Sequence, residues 1–125
     1  MPKSKKRILG IDPGTNVLGY AMIDVDGNKL ILVEMGVIKM SHLESHQLKL
    51  KRIFEKLQSL IKAYGPKEMA VEAPFYGKNP QSMLKLGRAQ GVAIAAGITL
   101  DVPVKEYAPK KIKQSITGTS RVIPA

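Results

Sequence analysis

An α/β domain on a five-stranded mixed sheet, three antiparallel strands followed by two parallel ones with flanking helices, is predicted by three observations. Three apolar segments come first, separated only by turn residues. A long segment of helical spacing then leads straight into a fourth apolar strand. A second helix and a short fifth strand repeat that order, and alternation of helix and strand is the pattern of parallel crossovers.

Each element has its own signature. Ile8-Leu9-Gly10-Ile11-Asp12 is a short apolar strand closed by an acid and followed by Pro13-Gly14. Val17 to Asp24 is the next strand, Asp26-Gly27-Asn28 is a turn signal, and Leu30 to Ile38 is the third strand. Links this short read as hairpins, so these strands form an antiparallel meander. Ser41 and Glu44 fit a capping box, after which Leu50, Ile53, Phe54, Leu57, Leu60, Ile61 and Tyr64 recur at helical spacing until Gly65-Pro66. Met69 to Glu72 follows at once, and a right-handed crossover would lay it beside the first strand. Asn79-Pro80 opens a second helix through about Leu100, rich in small residues: Gly87, Ala89, Gly91, Ala93, Ala95, Ala96 and Gly97. Those residues fit tight packing inside one subunit or a contact between two. Pro103-Val104-Lys105-Glu106 reads as the fifth strand, and Pro109 begins a basic helical turn ending near Gly118.

At 125 residues the chain is one domain with a core of its own. No apolar run approaches the roughly 18 residues of a membrane helix, and the basic start is not followed by a signal peptide's apolar stretch. A soluble, cytoplasmic, non-membrane protein is expected, and the absence of cysteine excludes disulfides and thiolate zinc sites. Twenty Lys and Arg against ten Asp and Glu give a net charge of +10. This excess clusters in Lys3 to Arg7, in Lys49, Lys51 and Arg52, and in Lys105 to Lys113, so a polyanion is the expected partner, nucleic acid first.

The most informative feature is the pair of acids that end apolar strands, Asp12 and Glu72. Burying a carboxylate without a partner is costly, so a strand covered on both faces rarely ends in one that is not used. If the two strands lie side by side, the acids stand roughly 5 Å apart. Like charges so close raise one pKa unless a cation sits between them, and hard divalent ions take carboxylate oxygen, so a magnesium site is implied. Taken singly, Asp12 before Pro-Gly could begin a reverse turn and Glu72 could be a surface acid at a strand end.

The element order, with Gly10-Ile11-Asp12-Pro13-Gly14-Thr15, Ala70-Val71-Glu72-Ala73-Pro74-Phe75 and Ser82-Met83-Leu84-Lys85-Leu86-Gly87-Arg88-Ala89-Gln90-Gly91, resembles the RuvC family of Holliday junction resolvases, which have an RNase H-like fold. The likeness runs from residue 7 to about 118. It implies a homodimeric endonuclease of recombination and repair that cuts two strands symmetrically across a four-way DNA junction and works with the RuvA and RuvB branch-migration proteins. It further implies that Asp12 and Glu72 are catalytic metal ligands, for Mg2+ or alternatively Mn2+, with up to two ions per subunit in the complete site. Phe75 matches an aromatic that stacks on junction bases, and Tyr76 is an alternative stacker. Lys113 matches a lysine near the scissile phosphate, with Lys110 and Lys111 widening a phosphate-binding surface. Lys78, Lys85 and Arg88 are candidates for backbone contacts. His42 and His46 are expected to be exposed and idle.

The resemblance also defines a departure. Family members continue into a further helix carrying two more acids, whereas Thr119 to Ala125 contains none and does not resemble that continuation. The expectation is a nuclease domain over residues 1–118, incomplete at its C-terminus with its last helix missing, and an atypical disordered tail over 119–125. A fragment, a premature stop or a frameshift would account for it, and weak or no cleavage would follow. Two other readings stand beside the nuclease: a non-catalytic module that binds junction DNA, and an actin-like ATPase domain whose first hairpin wraps a phosphate.

Overall fold

The computed structural model describes residues 5–73 and 79–107. Its elements are β1 (Lys6–Asp12), β2 (Val17–Asp26), β3 (Lys29–Lys39), α1 (His46–Tyr64), β4 (Glu68–Glu72), α2 (Pro80–Ile98) and β5 (Val104–Tyr107). The strands form one sheet in the order β3-β2-β1-β4-β5. The first three pair antiparallel, while β4 pairs parallel to both β1 and β5, which is the α/β architecture expected from the sequence.

Both hairpins form where turn residues demand them. Residues 13–16 join β1 to β2, and at Gly14 a Cβ would overlap the Val17 carbonyl oxygen, so only glycine fits there. A two-residue loop of Gly27 and Asn28 joins β2 to β3, with Gly27 at a φ of 62°, the left-handed value a tight hairpin needs at that position. A register shift between Met22 and Ile23 marks a bulge, and it leaves Met22, Ile23 and Asp24 all buried in succession.

The helix α1 begins at Ser45, not Ser41. The Ser45 hydroxyl accepts the Leu48 N–H at 3.1 Å, while residues 41 and 42 lie in the turn that leaves β3. It ends at Gly65, whose left-handed backbone donates its N–H to the Ile61 carbonyl. As expected, Asn79 caps α2 with Pro80 in the first turn: its side-chain oxygen accepts the N–H groups of Gln81 and Ser82. This helix stops at Ile98, two residues before the expected end.

Both helices cover one face of the sheet. Leu9 and Ile11 of β1, Leu18 and Met22 of β2, Ile38 of β3 and Met69 and Val71 of β4 meet Ile53, Leu57 and Ile61 of α1 and Ala89, Ala93 and Ala96 of α2 in a single core. Small residues on α2 let it approach closely. A Cβ on Gly97 would lie 3.0 Å from Met69 and 3.1 Å from Val104. By contrast, a Cβ at Gly87 or Gly91 would meet nothing among the described residues, so the glycines of this helix divide between an inner and an outer face. The basic turn after Pro109, the domain limit at 118 and the tail at 119–125 lie outside the described residues.

Candidate active site and nucleic-acid interface

The parallel ladder between β1 and β4 pairs Ile8 with Glu68, Leu9 with Met69, Gly10 with Ala70 and Ile11 with Val71. Asp12 and Glu72 are the next residue on each strand, hence neighbours across the pair. Ile11 and Val71 are buried toward the helices, and side chains alternate along a strand, so both acids project from the opposite face. Asp12 is exposed and Glu72 half-buried.

The register extends this row across the sheet. Asp12 faces Gly19 of β2, which faces Val37 of β3, and on the other side Glu72 faces Tyr107 of β5. One row further back stand Met35, Ala21, Gly10, Ala70 and Lys105. The strip next to the acids is therefore made of Gly10, Gly19, Ala21 and Ala70, which present almost no side chain.

The donor set fits one hard divalent ion, because magnesium is commonly held by one or two carboxylates and completes its shell with water and phosphate oxygens. Among the described residues, no group of three or more acidic, histidine or cysteine side chains is gathered at one point.

Chain direction supplies the positive charge. α1 leaves from the end of β3 and returns to the start of β4, and α2 leaves from beyond the end of β4, so both helices begin at the end of the sheet that carries the acids. Neither has an acidic residue in its first turn, so their positive ends are uncompensated. Lys85 and Arg88, both exposed on α2, add to this, as does Lys49, whose ammonium donates to the Asn16 side chain at 2.8 Å in the turn between β1 and β2.

His46 departs from expectation. His42 is exposed, but His46 is half-buried, and its Nε2 is enclosed without a hydrogen-bond partner among the described residues. Burial, and then the charges of Arg88, Lys85 and Lys49, hold it below the ordinary histidine range. Its surroundings come from the opposite helix, and local sequence carries no trace of that. Tyr107, beside Glu72, was also missed, because the fifth strand was read as ending at Glu106. Phe75, Tyr76, Lys78, Lys110, Lys111 and Lys113 lie outside the described residues.

The sequence profile of the family described as crossover junction endodeoxyribonuclease RuvC matches residues 8–122. The chain belongs to the RuvC family. It is 60% identical over 119 residues to the crossover junction endodeoxyribonuclease RuvC of Cytophaga hutchinsonii, covering 94% of this chain and 60% of that protein. Identity to the RuvC of Porphyromonas gingivalis is 54% over 118 residues, covering 94% and 62%. Among solved structures, T. thermophilus RuvC in complex with Holliday junction substrate matches with a TM-score of 0.79 at 29% identity, covering 88% of this chain and 69% of that one. The chain spans about three fifths of the length of the curated RuvC proteins it matches. No helix among the described residues is long and apolar enough to cross a membrane.

Proposed function

We propose that this chain carries the metal-binding half of a structure-selective endonuclease that resolves four-way DNA junctions by hydrolysing phosphodiester bonds in recombination and repair. The observation that carries the reading is the adjacency of Asp12 and Glu72 on one face, in a chain of the RuvC family. In this reading the two acids hold Mg2+ or Mn2+, with up to two ions in the complete site. A bound ion supplies a water of lowered pKa and charge stabilisation at phosphorus.

The remaining work falls to this chain's own groups. The bare strip of Gly10, Gly19, Ala21 and Ala70 admits the DNA backbone to the acids. Lys85, Arg88 and the two helix N-termini hold flanking phosphates and fix the register of the duplex arms. Phe75 or Tyr76 stacks on junction bases, and Lys78, Lys110, Lys111 and Lys113 extend the phosphate contacts.

The reading includes a homodimer. Leu84, Gly87, Gly91 and Ile98 recur at helical spacing on the outer face of α2, where Leu84 and Ile98 are exposed and no described residue stands over either glycine. Such a face suits a second copy, and a two-fold pair would set two sites against a junction of matching symmetry. RuvA and RuvB as partners, and the cytoplasm as location, belong to the same proposal.

A four-way junction assay with and without magnesium tests it. Paired, metal-dependent nicks support the nuclease, and equal affinity for junction and linear duplex would overturn the junction reading. Junction binding without cleavage is the second reading, favoured by the gathering of only two acids among the described residues.

A further inference from the structure

β3 forms one edge of the sheet, and between it and α1 runs a groove of about 450 Å³. Tyr20, Ile38 and Leu60 contribute to its floor, and Lys39, Arg52 and Lys56 line it as well. No acidic residue lines it, and none among the described residues pairs with any of the three cations. Among the described residues, Arg52 donates only its Nε–H, to the Lys39 carbonyl at 3.2 Å. The Glu34 carboxylate accepts from the Tyr20 hydroxyl at 3.5 Å and stands outside the lining.

This groove is separate from the candidate active site. Ile11 pairs with Tyr20 and Asp12 with Gly19, so Tyr20 lies on the helix-covered face and the acids on the other. A volume of this size is in the range of ligand pockets, and an apolar floor ringed by cations is a poor match for a duplex backbone, which has no group to place on the floor. It matches an acidic peptide that also carries one large apolar side chain. The adjoining edge of β3 is unpaired among the described residues, which favours an extended ligand.

We propose that the groove between β3 and α1 is a docking site for an acidic peptide segment of a partner protein, with an apolar side chain seated over Tyr20, Ile38 and Leu60 and carboxylates paired to Lys39, Arg52 and Lys56. The site is independent of the nuclease reading, because it takes a different ligand on a different face.

The test uses the full chain and fluorescence anisotropy with two labelled probes: a peptide of four aspartates followed by leucine and phenylalanine, and a peptide of four aspartates alone. Lys56→Glu and Ser59→Glu alter exposed positions of the groove without touching the core. The apolar-tipped probe is expected to bind more tightly than the plain one, and each substitution is expected to weaken it about tenfold while leaving four-way junction affinity within about twofold. Equal binding of the two probes, or no effect of the substitutions, overturns the proposal. A loss of junction affinity matching the loss of peptide affinity overturns it too, assigning the groove to nucleic acid.

Discussion

Arg7 holds both carboxylate oxygens of Asp24, with Nε to Oδ1 at 2.7 Å and the second terminal nitrogen to Oδ2 at 3.0 Å, and gives its remaining terminal nitrogen to the Tyr64 carbonyl at 3.0 Å. One guanidinium thus ties β1 to β2 and satisfies a carbonyl at the C-terminal end of α1, where a cation also opposes the helix dipole. Asp24 is only 6% exposed, so its charge depends on this partner. Its pKa is lowered chiefly by the Arg7 hydrogen bond. The folded state therefore binds that proton less readily than the unfolded one. The associated stability is present above the ordinary aspartate pKa and is lost as pH falls through the depressed value. Asp24→Asn should lower the melting temperature at pH 7 and flatten its decline between about pH 5 and pH 2, measured by circular dichroism. Arg7→Leu should be the more damaging change, because it leaves a buried carboxylate without a partner.

On the proposed reading, Asp12 and Glu72 should behave as an ion site. In EDTA, Asp12→Asn changes an exposed position and should leave stability within about 0.5 kcal/mol of the parent. Added Mg2+ should then raise the melting point of the parent chain and leave that of Asp12→Asn and Glu72→Gln unmoved, read by differential scanning fluorimetry. An equal magnesium shift in all three proteins would remove the acids from the ion site.

Gly14 has no room for a side chain. Gly14→Ala should destabilise by about 1–3 kcal/mol, because the added methyl must push the Val17 carbonyl aside and with it the turn behind Asp12. Gly27→Ala is the comparison: its surroundings are open, and only the left-handed backbone is disfavoured, at about 1–2 kcal/mol. Urea titration gives both values. Metal affinity should fall for Gly14→Ala alone, since the other hairpin is at the far end of the sheet.

Gly87 separates folding from association. With no described residue above it, Gly87→Ala should stabilise the subunit by about 1 kcal/mol through helix propensity. Gly87→Arg should leave the subunit folded and shift it toward monomer in sedimentation velocity, if α2 meets a second copy through this face.

Sequence pattern made the sheet and its acids legible for a physical reason. A charge at the end of an apolar run stands out against alternation and burial, and the helical segment between the two strands forces the parallel return that brings them together. Ser45 was missed because Ser41 and Glu44 offered an equally good local cap, and where the chain turns off β3 decides between them. His46 and the groove beside β3 were illegible for another reason. Each is made by residues far apart in sequence, such as His46 against Arg88 or Tyr20 against Lys56, and no local period encodes such a meeting.

The ladder between β1 and β4 also sets when the acids can meet. β1, β2 and β3 close through short turns and can zip together early, whereas β4 must wait for α1 to span the sheet and deliver it. A partly folded chain therefore holds Asp12 in place with no companion, and on the proposed reading an ion would find both carboxylates only once β4 has paired. Divalent cation should thus slow unfolding and leave the early folding steps untouched, making its occupancy a marker of the arrival of β4.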